Sequence, residues 1–542
     1  MLSSPAEARI DAIEPTSVPK SRHPLGFSSA GVFSLGLIVQ VLGFVGSVIL
    51  YKFVGVSAQG QALLGTVQLF LLIASSISSV GDLRMGSAYT YFIARGKSPL
   101  DGTSTYLLLR VGIAAAACTI ILILTTVNIG NWPFTNAGSL LYLLAAFLTL
   151  PLLWSVEAVF TQMFVAQGDS IRAQLPSLVE VLVRTPLLLV VAIWSPTIWA
   201  IALAYIGAGL VAALCCLPAI LPKLGGFRRT EATLMVRFAW PLMGSLALTF
   251  IVTNSMSFVV AAVTGVRELN IFNAANGFRL VLLSLATAVA TPLFPLVSGL
   301  HHRHAIQEIR THVQRVLRFS AMLIVPASVI VAVFSSDLLQ VFTTPEYLSG
   351  TDAMFVLAIS VIPASYSALI FTALVAIGRQ RLELYIAGAQ TFTLFVTMYL
   401  LLPPIAIVPT GSVLLSASIS ILVSSLVGLA ANLYYLRLVM ATATSPRSAL
   451  WTVICSVLGV GIGWWMDSFL TASPLLRVIV GSFSGLAISF LLLDGVGEIT
   501  REDVRLVTAS LRFSAPTGAR LARLCWRESH EEAPPASSRL RN

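Results

Sequence analysis

Four polar residues stand at every third position in one apolar stretch of the chain: Asn270, Asn273, Asn276 and Arg279. A guanidinium can bind a phosphate or carboxylate through two parallel hydrogen bonds, and side-chain amides can satisfy hydroxyl groups. In a helix, steps of three drift by about 60° each, so these side chains form a spiral stripe. At 1.5 Å per residue, Arg279 lies about 13 Å deeper than Asn270. The stripe is therefore predicted to form one wall of a polar cavity.

The composition predicts that this stripe lies within a membrane. The chain has 542 residues, of which 57% are hydrophobic and 10% charged, and its mean hydropathy is +0.89. Soluble domains carry about 25% charged residues. The chain instead divides into fourteen apolar runs of bilayer-spanning length. The predicted spans are 29–52, 60–81, 104–127, 138–167, 173–194, 197–221, 234–262, 270–300, 316–334, 352–377, 382–402, 411–436, 449–467 and 474–494.

The order of the spans predicts two six-helix lobes. The segment "PKLGGFRRTEATLMVRF" (222–238) joins spans six and seven. The dipeptide Gly-Val after span one recurs after span seven at an offset of 210 residues. An even number of spans per repeat predicts a parallel pseudo-two-fold axis along the membrane normal. The expected fold is an all-α polytopic membrane protein with two extra C-terminal helices. Its predicted parts are an N-terminal segment 1–28, an N-lobe 29–222, a linker 223–233, a C-lobe 234–437, the last two spans 449–494 and a basic tail 495–542.

The distribution of basic residues predicts the orientation. With the N-terminus inside, 27 of the 33 Lys and Arg residues fall in inner segments, and Lys52 and Arg267 are those in outer loops. Cytoplasmic loops of membrane proteins are enriched in this way. We therefore expect a multi-pass protein of the cytoplasmic membrane with both termini inside. Its first span should act as an uncleaved anchor, since no cleavable signal peptide is visible. The net charge of +10 follows from this topology and does not indicate nucleic acid as a partner.

Three further polar residues lie in spans expected to face the stripe: Gln40 in span one, Gln68 in span two and Asn254 in span seven. Each alone is as well explained by a hydrogen bond between helices. Together they put polar groups where two parallel lobes would meet, so they are candidate substrate-binding residues with the stripe. For Arg279 the structural alternative is an ion pair across the lobe interface.

A second polar group lies in spans four and five, which form a hairpin near Gly168. Counting away from that turn predicts an ion pair between Glu157 and Arg184, with Glu180 one helical turn from Arg184. The functional alternative is that Glu157 or Glu180 couples transport to protons or sodium. No other cofactor is expected.

The sequence has few of the features that indicate an enzyme or a metal site. The five cysteines form no C-x-x-C pair, and "HHRH" (301–304) has no Cys or Asp close by, so no metal site is predicted. The chain has no phosphate-binding loop of an ATP-driven pump. The longest predicted outer loop, 335–351, carries Asp337 and Glu346 but no Lys, Arg or His. A membrane glycosyltransferase or polymerase is thus a distant alternative, and the chain is not expected to be an enzyme.

Several stretches resemble the polysaccharide and lipid-linked oligosaccharide flippases, a family of the multidrug/oligosaccharidyl-lipid/polysaccharide exporter superfamily. The resemblance runs from about residue 30 to 440. The segments that carry it are "GDLRMGSAYTYFIARGKSP" (81–99), "FNAANGFRL" (272–280), "TPLFPLVSGL" (291–300), "EYLSG" (346–350), "FTALVAIGRQRLELYIAGAQ" (371–390) and "ASISILVSSLVGLAANLYYLR" (417–437).

The resemblance implies a V-shaped pair of lobes around a cationic cavity. It further implies alternating access that moves a polyprenyl-diphosphate-linked glycan from the inner to the outer leaflet. Arg279 matches the cavity arginine of the eighth helix in this family. Span one here has neither the arginines of the lipid II flippase nor the carboxylate of many multidrug antiporters. Both relatives stay open as alternatives. A polysaccharide polymerase or glycosyltransferases are further partners that the resemblance suggests.

Overall fold

A computed structural model describes residues 25–94, 99–126, 138–167, 169–302, 305–379, 381–402, 412–440, 446–467 and 473–498. The predicted basic tail beyond residue 498, most of the predicted N-terminal segment and two residues of "HHRH" lie outside this part. Every regular element in it is a helix. The α-helices are α1 Leu25–Phe53, α2 Ala58–Asp82, α3 Met85–Ala94, α4 Pro99–Thr126, α5 Gly138–Phe147, α6 Leu150–Ala166, α7 Ser170–Ala173, α8 Leu175–Trp194, α9 Ile198–Ile220, α10 Arg229–Thr264, α11 Val266–His302, α12 Ile306–Val333, α13 Ser335–Phe342, α14 Thr351–Ala376, α15 Arg381–Leu401, α16 Val413–Met440, α17 Pro446–Asp467 and α18 Pro474–Gly495.

The number of spans agrees with the sequence prediction. Fourteen segments of the described chain are long and apolar enough to cross a membrane. The second predicted span, 60–81, lies wholly within α2, and a break follows it between α2 and α3, where Leu83 and Arg84 have φ of 42° and 60°. One predicted span is interrupted. The fourth breaks between α5 and α6, just before Pro151, whose ring and missing N–H end a regular helix.

The turn between α10 and α11 consists of one residue, Gly265, with φ of 94°. Residues with a Cβ rarely adopt such a conformation, and glycine does so without a steric penalty. The two helices it joins have 36 and 37 residues, so both extend well beyond the hydrocarbon core. This turn fixes where the polar stripe of α11 begins relative to the bundle end.

The predicted outer loop 335–351 is largely helical. It forms α13 and a 3-10 helix, Pro345–Gly350. It is bonded to the N-lobe, because Nζ of Lys52 in α1 donates to the carbonyl oxygen of Gln340 at 3.0 Å. The hydroxyl of Thr344 donates to the carbonyl oxygen of Gly55 at 3.3 Å. The segment thus ties the α1–α2 turn to the C-lobe.

The last two spans, α17 and α18, pack against each other through glycines. A Cβ built on Gly459 would lie 2.5 Å from the backbone nitrogen of Ser489, and one on Gly463 would lie 2.7 Å from that of Gly485. The pair contacts α12 and α13 of the C-lobe. Arg477 of α18, which falls in the predicted span 474–494, lies 3.1 Å from the carboxylate of Asp337 in α13, its counter-ion.

Candidate functional site

Three amides join the lobes near the end of the bundle where α1 passes into α2. Gln68 of α2 donates through Nε2 to Oδ1 of Asn270 in α11 at 2.8 Å, and Nδ2 of Asn273 donates to Oε1 of Gln68 at 3.0 Å. The hydroxyls of Tyr51 and Tyr347 accept from Gln68 and Asn270 at 3.1 and 2.6 Å. Asn270 is fully buried. The first part of the stripe therefore holds the lobes together at the predicted outer end.

Arg267 adds a second connection at this end. Its Nε donates to Oε1 of Gln61 at 2.9 Å, which again joins α11 to α2. Gln61 is fully buried. In the predicted topology, these bonds close the outer side of the molecule.

A cavity of about 380 Å³ extends from the amide network into the molecule. Pockets of roughly 300–1,000 Å³ are the usual size for small-molecule sites. Its wall comes from α1, α2, α6, α8 and α9 of the N-lobe and from α11 of the C-lobe. Its polar or aromatic lining side chains are Phe44, Ser47, Tyr51, Gln68, Ser75, Trp154, Arg184, Tyr205, Asn273 and Asn276. Three of the predicted binding residues, Gln68, Asn273 and Asn276, thus meet in one cavity.

Arg279 adjoins this cavity through Asn276. Its Nη1 donates to Oδ1 of Asn276 at 3.4 Å, and its Nε donates to the hydroxyl of Ser360 in α14 at 3.1 Å. Among the residues that the structure describes, no carboxylate lies within ion-pair distance of this guanidinium. The interlobe ion pair that was its structural alternative is not formed with any of them.

Arg184 lines the cavity directly and is paired differently from the sequence prediction. Its Nη1 lies 2.8 Å from Oε1 of Glu180, one turn earlier in α8, and its guanidinium stacks over the ring of Tyr205 at 5.3 Å. The predicted ion pair between Arg184 and Glu157 is absent from the described structure. Glu157 is buried and interacts with both residues electrostatically, but its Oε1 has no hydrogen-bond partner in the described part of the chain. The i,i+4 partner is available on the same helix, whereas Glu157 must approach from α6.

The opposite end of the bundle has its own connection between the lobes, which the sequence reasoning missed. Nη2 of Arg84, at the break between α2 and α3, donates to Oε1 of Glu383 in α15 at 2.8 Å. Non-glycine residues at positive φ are strained by about 1–3 kcal/mol, and such strain is concentrated at functional sites. Both residues lie in segments that carry the family resemblance, "GDLRMG" and "GRQRLELYIAG". Their position in these two segments was the sequence feature that could have indicated the pair.

Close behind Arg84 lies a buried charge cluster within the N-lobe. Arg110 of α4 pairs with Asp82, the last residue of α2, and Tyr106 donates to the same carboxylate at 2.7 Å. This cluster gives Arg110, which falls in the predicted span 104–127, a partner of opposite charge. It also fixes the end of α2 from which Arg84 reaches the C-lobe.

Two predicted binding residues, Gln40 and Asn254, do not line the cavity. Gln40 is exposed on α1, outside the cavity lining. Asn254 donates to the carbonyl oxygen of Phe250 on its own helix at 3.3 Å, while Ser257, one turn later, donates to Oδ1 of Asn273 at 3.4 Å. In the described residues no three His, Cys, Asp or Glu side chains are grouped closely enough to hold a metal ion.

Comparison with known structures and families fits this architecture. A lipid II flippase in an inward closed conformation superposes with a TM-score of 0.67 at 13% identity, covering 86% of this chain and 99% of that one. A MOP superfamily transporter from Pyrococcus furiosus, described as having a binding pocket of reverse polarity, gives a TM-score of 0.60 at 15% identity, covering 77% of this chain and 95% of that one. A multidrug resistance MATE family transporter of the MOP superfamily, inward-facing, gives 0.60 at 14% identity, covering 76% and 98%.

The chain shares its fold with these three transporters. Within it, residues 95–351 match the family model described as "Polysaccharide biosynthesis protein". A probable low-salt glycan biosynthesis flippase of Haloferax volcanii is 22% identical over 208 residues, which are 38% of this chain and 43% of that protein. The chain thus aligns with less than half the length of this relative. These matches confirm the resemblance indicated by the motifs.

Proposed function

We propose that this protein is an alternating-access flippase that moves a polyprenyl-diphosphate-linked oligosaccharide from the inner to the outer leaflet of the cytoplasmic membrane. The observation that carries the proposal is the C-lobe wall of the cavity. There Asn273 and Asn276 line the space, and Arg279 is hydrogen-bonded to Asn276 without a carboxylate partner among the described residues.

The chemistry of the substrate suits this wall. A diphosphate must enter a low-dielectric space, where a guanidinium offers it bidentate, charge-assisted hydrogen bonds. The glycan brings hydroxyl groups that amides can satisfy, which matches Gln68, Asn273 and Asn276. The prenyl chain can stay in the lipid between the lobes. Each of these groups therefore finds a partner without an isolated charge in the hydrocarbon core.

In this proposal the two connections between the lobes break and form in turn, so that the cavity opens to one side of the membrane at a time. Arg84–Glu383 lies at the predicted inner end and the amide network of Gln68 at the predicted outer end, with the cavity between them. Breaking one set while keeping the other would open the cavity to one side at a time. In this proposal both termini face the cytoplasm, where glycosyltransferases assemble the substrate. A polymerase or transfer enzyme receives it on the other side.

Replacement of Arg279 tests the proposal. In cells that depend on this protein for a surface glycan, Arg279→Ala should abolish the glycan while membrane expression stays normal. Arg279→Lys should restore part of it, because the charge remains but the bidentate fork is lost. The matched control is Arg229→Ala, which removes an exposed arginine at the start of α10. Full surface glycan in the Arg279→Ala strain would contradict the proposal.

A second candidate function is an ion-coupled multidrug antiporter, and one observation favours it. Glu157 is a buried carboxylate that interacts electrostatically with the cavity residue Arg184, and its Oε1 has no hydrogen-bond partner among the described residues, as a site for a cation or proton would have. Transport of a small organic cation into vesicles separates the two functions. The flippase proposal expects no such transport, and uptake that requires Glu157 would favour the antiporter.

A further inference from the structure

One cationic residue, Arg184, lines the cavity directly, and a second, Arg279, adjoins the cavity through Asn276. Arg184 belongs to the N-lobe, whereas Asn276 and Arg279 belong to the C-lobe. An anion in the cavity can therefore be approached by one guanidinium from each lobe.

Arg184 is open to the cavity on one side only. Its Nη1 is occupied by Glu180 at 2.8 Å, and Tyr205 covers one face of the guanidinium. Its Nη2 faces Gly43 of α1, another lining residue, where a Cβ would lie 3.4 Å away. The side chain of Arg184 is 19% exposed. The absence of a side chain at residue 43 thus leaves the guanidinium within reach of a cavity ligand.

Glu180 is held as a counter-ion that a ligand can replace. Its side chain is 13% exposed, and it also makes a side-chain hydrogen bond with Trp154, a further lining residue. A guanidinium inside the membrane is stabilised by a nearby anion, and Glu180 supplies that anion for Arg184 while the cavity is empty. An incoming anion must bind Arg184 more favourably than this carboxylate does.

We propose that Arg184 is a second anion-binding residue of the cavity and that Glu180 masks it, so that only a strong, multiply charged anion such as a diphosphate engages it. A diphosphate presents several oxygens to the fork, while a phosphodiester or monophosphate presents fewer and less charge. Competition with Glu180 therefore excludes bulk anionic phospholipids from the site. The inference rests on the proposed function, because it names the binding site for the same substrate group.

Ligand binding to the purified full-length protein tests this. The probes are geranylgeranyl diphosphate and geranylgeranyl monophosphate, measured by calorimetry in detergent. The wild type should bind the diphosphate at least on the order of tenfold more tightly, the ratio that corresponds to about 1.4 kcal/mol. Arg184→Ala should weaken diphosphate binding by a similar factor, and Arg184→Lys should be intermediate. Arg172→Ala, which removes an exposed arginine of the same lobe, is the control for non-specific attraction and should bind as the wild type.

Replacement of Glu180 gives the deciding result. Glu180→Gln removes the competing charge but keeps the side-chain size, so the monophosphate should bind more tightly and the preference for the diphosphate should fall. Glu180→Asp, which withdraws the carboxylate by one methylene, should show a smaller change in the same direction and serves if the glutamine variant does not fold. An unchanged preference in these variants would overturn the masking role.

The other outcomes separate this inference from the proposed function. If the wild type binds the diphosphate and Arg184→Ala binds it equally well while Arg279→Ala does not, the site at Arg184 is refuted and the flippase proposal stands. If the wild type binds neither probe, both are refuted.

Discussion

The Cα atom of Gly65 in α2 faces the carbonyl oxygen of Val266 in α11 so closely that a Cβ on Gly65 would lie 1.8 Å from that oxygen. Real Cβ atoms essentially never approach within 3.0 Å of a heavy atom to which they are not connected through neighbouring bonds. The two lobes therefore meet backbone to backbone at the predicted outer end, one helical turn before the amide network of Gln68. Any side chain at residue 65 requires the lobes to separate there.

The first prediction concerns this contact. Gly65→Ala should destabilise the state in which the outer end is closed, because backbone atoms cannot move aside as a flexible side chain can. A cysteine introduced at Asn273 should then be labelled more rapidly by a polar thiol reagent added from outside. Gly112→Ala in α4 is the matched control, since a Cβ there meets no heavy atom within 4 Å. Equal labelling rates in the two alanine variants would contradict the prediction.

The second prediction concerns the stripe of α11. In a background without the native cysteines, Asn273→Cys and Asn276→Cys should be labelled from outside when the outer end is open and protected when it is closed. Both side chains line the cavity. Leu282→Cys should stay unlabelled in either state, because Leu282 is 6% exposed and packs against α12 and α14. If Asn273 and Asn276 never react, the stripe is static helix packing.

The third prediction concerns the pair at the predicted inner end. Because Arg84 is 33% exposed, its ion pair with Glu383 should contribute only about 0.5–1 kcal/mol of coupling in a double-mutant cycle. Its effect on transport should be larger, because the pair joins the lobes. Arg84→Glu and Glu383→Arg should each impair glycan export, and the combined charge swap should restore part of it.

An exposed pair within one lobe controls for charge removal in the third prediction. Arg172 and Asp169 lie 3.1 Å apart on the N-lobe surface, and Arg172→Glu should leave export unchanged. If the Arg84–Glu383 charge swap is no better than either single variant, the pair does not join the lobes during transport.

The fourth prediction concerns the buried charges of the N-lobe. Arg184→Gln or Glu180→Gln leaves a buried charge without its partner and should lower the free energy of unfolding by up to about 3–5 kcal/mol, while removal of both should be milder. Glu157→Gln should be neutral or stabilising, because it replaces a buried carboxylate whose Oε1 has no hydrogen-bond partner among the described residues. Thermal unfolding in detergent measures the stability of all four variants. If Glu157→Gln lowers the free energy of unfolding as much as Glu180→Gln does, the pairing of Arg184 with Glu180 is contradicted.

The sequence determined the class of protein and the number of its spans. Apolar runs of bilayer length and the segregation of basic residues are local properties, so fourteen spans could be counted before any tertiary contact was known. The period of three along α11 likewise indicated that Asn273 and Asn276 share one side of a helix. A polar side chain in lipid needs a partner, and this made those residues candidates for a cavity wall.

Only the tertiary structure decided which partners those side chains have. Gln68 lies 202 residues from Asn270 in the chain, and no local pattern specifies that their amides bond across the lobe interface. Arg184 could reach Glu157 or Glu180 by spacing, and the choice depends on how α6 packs beside α8. The Arg84–Glu383 pair depends on a helix break at two residues of positive φ, which their types did not predict. Hydropathy and spacing act within a segment, whereas the orientation of one lobe against the other is set by contacts between distant segments.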